Sequence, residues 1–319
     1  MPHKLNDAHR GKFERAKYRV TNWSEYNESL RRRGDLTVWF DASVAQDWSA
    51  PHRRTRGGQR RYSDLAIEIC LTVRSVFRLA LRQTQGFVRS LMALMDLDLS
   101  VPDFSTLSRR AATLNIAEKN RPADVPITLI VDSTGLKIHS DDSWHEHKHG
   151  PKKPRKTWRK LHVALDPDSG EILASQLTTE HVGDVTALSD LAADLDVPVD
   201  RVIADGAYDG QPVFEFLTQA FGPTVEIVIP PPANAVLGLN VQRDRHIQCI
   251  AEQGRMGWQK QSGSNQRSKI EAQIGRWQAV FGPNLRSRKL ETQKTEIQIA
   301  TKVLNRMTAD GRAIFERIS

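Results

Sequence analysis

Cysteine is nearly absent. The chain of 319 residues holds two, Cys70 and Cys249, far apart and with no CxxC or CxxH spacing. That argues against a zinc site and a disulfide scaffold and leaves both as reduced core thiols. Long apolar runs are missing too: no stretch of eighteen apolar residues occurs, and the opening MPHKLNDAHRGK lacks the apolar segment of a secretion signal, so a cytoplasmic protein is expected. There is no low-complexity tract, no solenoid repeat and no P-loop glycine pattern, so disorder, repeat architectures and Walker-type nucleotide binding drop out.

What is present is core-forming material and a lopsided charge. Hydrophobic residues make up 39% and charged residues 26% of the 36.0 kDa chain, enough for two domains or for one large domain with an appendage. The net charge is +8. Residues 1–120 hold 21 Lys and Arg against 13 Asp and Glu, and the remainder holds 25 of each. An N-terminal excess suits a nucleic-acid-binding segment joined to a balanced one; a solvated basic surface has the same composition.

Three regions follow from the patterning. Residues 1–62 read as a basic lead-in in which RRRGD and PHRRTRGGQRRY flank a strand-like LTVWF. Residues 63–120 are helical: after Ser63, a plausible N-cap, Ile69, Val73, Val76, Phe77 and Ala80 recur at three- and four-residue steps, and a second helix carries Phe87, Leu91, Leu94 and Met95. After DLDLSVP a short helix restarts with Leu107, Ala111 and Leu114 inward and Ser105, Ser108, Arg109 and Arg110 outward. This is a helix-turn-helix in outline, with polar and arginine side chains suited to a major groove; an ordinary three-helix bundle is the alternative.

From residue 125 to 319 strands dominate, with an insertion at about 232–263. PITLIVDSTGLKIHS, two strands joined at Asp168-Ser169-Gly170, a helix, RVIADG, a helix and TVEIVIPPP give the order β β β α β α β. That order matches the mixed five-stranded sheet of ribonuclease H-like domains, an α/β class in which the first and fourth strands are neighbours. Asp132 and Asp205 then lie side by side. Adjacent carboxylates repel, so one takes a proton or a cation sits between them, and magnesium is the natural candidate.

VDSTGLK with Asp132, VIADGAYD with Asp205 and SNQRSKIEAQIGRWQ with Glu271 together resemble the DDE transposases of bacterial insertion sequences, the IS-five group within the IS-four-like set. The resemblance runs from about Arg61 to the end, with 73 and 66 residues between successive acids. Of the related signature (tyrosine, two residues, arginine, three residues, glutamate, six residues, lysine), Arg267 and Glu271 are present, while Ser264 and Gln278 replace the tyrosine and lysine. The resemblance implies that Asp132, Asp205 and Glu271 are catalytic and bind Mg²⁺ or Mn²⁺, two ions in all. It implies cleavage and strand transfer at the terminal inverted repeats of an element, action as a homodimer or larger on DNA, and association with the nucleoid. Arg267 would hold a phosphate beside the scissile bond. A non-catalytic regulator or a ribonuclease H-like nuclease is the alternative, and the presence of all three acids speaks against the regulator.

Other motifs weigh less. DSTG has one residue too many for an aspartic-protease motif, and DGAYDG fails as a calcium loop at Ala207 and Phe216. Asp184 and Asp209 read as a helix cap and a turn residue. His145, His147 and His149 alternate without a completing carboxylate or cysteine. Around them, Lys148, Lys152, Lys153, Arg155, Lys156, Arg159 and Lys160 surround Trp158 with no acid among residues 148–160, which suits a loop that tracks DNA phosphates.

Overall fold

The computed structural model describes residues 17–54, 56–114, 116, 125–138, 158–238 and 240–318. The chain divides into two compact units, one of Met1–Val38 with Arg306–Ser319 and the other of Trp39–Asn305. In the first, β1 (Tyr18–Val20) pairs antiparallel with β8 (Phe315–Arg317), and α1 (Trp23–Arg32) follows β1. The C-terminal residues after α-helical Leu290–Ala309 are therefore partly a strand. Gly311 (φ 147°) supplies the break, and a Cβ there would meet Ser29 Cβ at 2.7 Å. LTVWF is also not a strand: Leu36–Trp39 is a single helical turn, α2.

In the second unit, α3 (Asp64–Val76), α4 (Leu81–Leu94) and α5 (Phe104–Ala111) form a helical cluster. Ser63 caps α3 by accepting from Ala66 N, and Asp103 caps α5 by accepting from Ser105 N and Thr106 N. The cluster is anchored to the rest of its unit: Thr295 Oγ1 donates to the Ala111 carbonyl at 2.6 Å and Arg286 donates to the Leu79 carbonyl at 3.1 Å.

The main sheet contains β2 (Ile127–Ile138), β3 (Trp158–Leu165), β4 (Ile172–Thr179), β5 (Val199–Ile203), β6 (Glu226–Val228) and the short β7 (Asn284–Leu285). Its order is β4-β3-β2-β5-β6, antiparallel among β4, β3 and β2 and parallel from β2 through β6, as anticipated from the sequence. β7 pairs with the far end of β2, at Lys137 and Ile138, after β5 has ended opposite Ile130. The β5 side of β2 is thus left without a strand partner around Asp132, a crevice at the carboxyl end of a strand where α/β sheets place their sites.

Alternation along β2 sorts its side chains. Leu129 and Val131 join the core under α6 (Asp184–Ala193) and α7 (Gln211–Phe221), with Val202, Leu188 and Phe214. Ile130 and Leu136 face the opposite core with Ile203, Ile270, Trp277 and Leu304, beneath α8 (Val241–Ser262), α9 (Ser268–Phe281) and α10 (Leu290–Ala309). Residues near the start of α8 cover the sheet edge at β6. Gln242 accepts from Ile227 N and donates to the Val225 carbonyl, both at 2.9 Å, and the His246 Nε2 lies 2.8 Å from the Ile227 carbonyl. An edge strand is thereby shielded from further pairing.

A buried ion pair fixes the start of α8: Arg243 Nε and Nη2 each lie 2.9 Å from a carboxylate oxygen of Asp209, with side chains 6% and 3% exposed. Removing one partner strands the other's charge. Arg243→Met is expected to cost about 3–5 kcal/mol in urea unfolding; a loss below about 1 kcal/mol would show the pair to be dispensable.

Candidate active site

The β2–β5 register pairs Ile130 with Ile203, and two residues further along each chain come Asp132 and Asp205. Both acids lie on the parity of Ile130 and Ile203, the face that carries α9. Asp132 is still within β2, and its Oδ1 accepts from Ser133 N at 2.8 Å. Asp205 stands beyond the end of β5 and caps a 3₁₀ turn, Gly206–Tyr208, by accepting from Ala207 N at 2.9 Å. A side chain after it would be crowded: a Cβ on Gly206 would lie 3.2 Å from the Pro230 carbonyl oxygen. Glu271 comes from the first turn of α9, where the exposed amides favour an acid.

The three acids converge on one guanidinium. Arg267 Nη1 lies 3.8 Å from Asp132 Oδ2 and 3.7 Å from Asp205 Oδ2, and Nη2 donates to Glu271 Oε1 at 2.8 Å. The carboxylates stand around this cation and not around a common point; among the described residues, no three His, Cys, Asp or Glu side chains form a ready chelate. Burial lifts the Asp132 carboxyl above its ordinary value of 3.8; the Ser133 amide and Arg267 oppose the rise, and the charges of Asp205 and Glu271 add to it. Tyr208, 2% exposed, has its hydroxyl pushed up first by burial and then by Asp184, Asp132 and Asp205.

The donor set fits a hard divalent ion. It consists of oxygens alone, offered by three separate elements, and the single charge of Arg267 leaves them undercompensated. Beside the acids runs an open groove of about 380 Å³ lined also by Arg255 and Gln259 of α8. Sequence reading missed both. They follow an internal break at Gly254 (φ 72°), and no periodicity reveals which side of a broken helix meets the site.

Two models described as a transposase DDE domain match the sequence, one over residues 124–306 and the other over residues 31–141. The chain belongs to the DDE transposase family. It is an enzyme that cuts DNA with the help of divalent metal, which this family generally uses. Similar solved structures include a piggyBac transposase synaptic complex with hairpin DNA (10% identical, covering 91% of this chain and 76% of that one, TM-score 0.35). Another is a pre-cleavage Mos1 transpososome (11% identical, 86% of each chain, TM-score 0.22). At such TM-scores the fold of the transposase is read from its own strand order.

The remaining candidates scatter. Ser105, Ser108 and Arg109 are exposed on α5, with Ser105 Oγ donating to Asp103 and Arg109 to Thr106 Oγ1. Arg110, expected outward, turns in: its side chain is 13% exposed and donates to the Tyr62 carbonyl and to Asp64. Arg159 and Lys160, expected in one phosphate-tracking run, point to opposite faces because they are successive residues of β3. Arg159 donates to Gln293 and lies 3.7 Å from Glu180; Lys160 donates to Asp184 at 3.3 Å. Asp184 is not a cap, since Gly183 holds that position; it stands 3.5 Å from the buried His162. Asp209 is more than a turn residue, being the partner of Arg243. Lys148, Lys152, Lys153, Arg155 and Lys156, with His145, His147 and His149, lie outside the described residues. Among the described residues, no helix is long and apolar enough to cross a membrane.

The raised Asp132 carboxyl has a definite sign. A group that binds its proton more tightly when folded stabilises the fold fully below its unfolded value, and loses that contribution as pH rises through the folded one. In metal-free protein, Asp132→Asn is therefore expected to gain stability over wild type at pH 7 and to lose that advantage as pH falls toward 4. Melting curves across this range check it; a gap independent of pH would show that Asp132 titrates normally.

Proposed function

We propose that Asp132, Asp205 and Glu271 are the catalytic acids of this transposase and that its substrate is the pair of terminal inverted repeats of an insertion sequence of the IS-five group. The observation that carries the reading is the convergence of these three carboxylates, from mid-strand β2, the end of β5 and the first turn of α9, on Arg267. They would hold Mg²⁺ or Mn²⁺, two ions in all, which when bound supplies Lewis-acid charge and a nucleophile of lowered pKa for attack on a phosphodiester.

The chain's own residues do the rest. Asp132 and Asp205 are fixed by the backbone amides they accept from, so their oxygens need little reorganisation. Arg267, freed from the acids, reaches the phosphate beside the scissile bond and holds it by paired N–H donors. The groove beside Arg255 and Gln259 receives the DNA strand. Water attacks phosphorus, the P–O3′ bond breaks, and the 3′ oxygen leaves as a hydroxyl. That hydroxyl then attacks a target phosphodiester and displaces a target 3′ oxygen. One phosphoester is exchanged for another in strand transfer, so no nucleotide is consumed. The helical region 63–120 reads the element end, with Ser105, Ser108 and Arg109 as its outward residues, and the two ends are cut by a homodimer or larger assembly.

Asp205→Asn in the full chain is expected to abolish strand cleavage of labelled element-end DNA while binding changes by a few fold at most. Magnesium or manganese should support cutting, and excess chelator should stop it. Cleavage by the variant at near wild-type rate, or full activity in chelator, would remove the assignment.

A further inference from the structure

A second basic feature lies on the α9 side of the sheet, away from the three acids. At the seam between α3 and the β7 turn, a cavity of about 50 Å³ is lined by Arg74, Arg78, Arg286 and Glu296, with Leu136 and Trp277 at its apolar side. Arg78 is held in the left-handed region (φ 53°), an uncommon backbone for a side-chain-bearing residue. Its Nη2 lies close over Gly282: a Cβ there would stand 2.9 Å from it and push the end of the arginine aside. Arg286 is aimed by its bond to the Leu79 carbonyl. Arg74 Nε is buried without a hydrogen-bond partner. Burial works against the charged form of Arg74, Glu296 opposes that, and Arg286 adds to it.

Little negative charge answers this cluster. Glu296 accepts from the Arg286 and Ser287 amides at 2.8 Å each. Glu291 is 3.8 Å from Lys294, and Glu68 is bonded to Lys302. Arg78, Arg286, Arg288 and Lys289 are all exposed, and among the described residues none has a carboxylate at ion-pair distance.

We propose that Arg78 and Arg286, with Arg288 and Lys289 beside them, form a DNA-backbone phosphate site apart from the three acids. The inference rests on the DNA-cutting reading above. Guanidiniums and one ammonium, with no base-sized recess, recognise phosphate and not sequence.

The test uses the full chain carrying Asp205→Asn, so that DNA is bound but not cut. Affinity for labelled element-end and unrelated duplexes is measured by fluorescence anisotropy over a salt series. Adding Arg78→Gln and Arg286→Gln is expected to weaken both duplexes alike, by about tenfold near 0.1 M salt, and to flatten the salt slope by about two phosphates' worth. Arg288→Glu, fully on the surface, should act in the same direction and guards against a folding defect in the double variant. An unchanged slope in both variants would overturn the site, as would weakening confined to the element-end duplex. If the parent binds neither duplex, the DNA-cutting reading falls with it.

Discussion

Three carboxylates share one guanidinium, and much of the molecule follows from bringing them together. Like charges at this distance repel, so the acids must be delivered by elements stiff enough to hold them against that repulsion. Two of them come from adjacent parallel strands, Asp132 two residues beyond Ile130 in β2 and Asp205 two residues beyond its partner Ile203, just past the end of β5. The third comes from a helix docked through Ile270 and Trp277, both buried against Ile203 and Leu136. The same helix is preceded by Arg267, so the counter-charge is delivered by the element that brings the last acid.

This explains why the acids were legible in the sequence. A strand that ends in a carboxylate followed by glycine is anomalous by itself, and its partner is sought on the neighbouring strand. VDSTG and VIADG could be aligned because alternation and strand order fix which residues face each other. Glu271 was found through the resemblance of SNQRSKIEAQIGRWQ to the family signature, in which Arg267 precedes it by four residues. Less readable were side chains whose direction depends on distant neighbours. Arg110 falls three residues after the buried Leu107, off the face of Ser105 and Ser108, and Tyr62 and Asp64 draw it inward. Arg159 and Lys160 sit in a basic run, but strand alternation separates them. LTVWF has strand composition and forms a helical turn, since four or five residues carry too weak a preference to resist their surroundings.

The insertion was the least readable part, and its structural role is plain. Asp209 lies four residues after Asp205, and its buried pair with Arg243 ties the turn after β5 to the start of α8. Gln242 and His246 then fasten α8 to β6. The same helix, after its break at Gly254, turns Arg255 and Gln259 toward the groove beside the acids. The residues that protect the sheet edge therefore also wall the site. Only the pairing of Asp209 with Arg243 makes this visible, and nothing in the sequence separation of the two announces it.

Charge balance at the site sets its chemistry. Arg267 cancels one of three carboxylate charges and leaves about two, the charge of one divalent ion. Burial raises Asp132 by desolvation, and the charges of Asp205 and Glu271, which Arg267 offsets only in part, add to the rise. Arg267 also has a second suitor, since a phosphodiester is a monoanion that a guanidinium binds by paired donors. A guanidinium turned toward phosphate leaves the acids with their full charge, and a divalent ion then gains the site that the arginine gave up. On the proposed reading the carboxylates would answer the cation and the arginine the DNA phosphate, so the contact that holds the acids together in the free protein would give way to both when the substrate arrives.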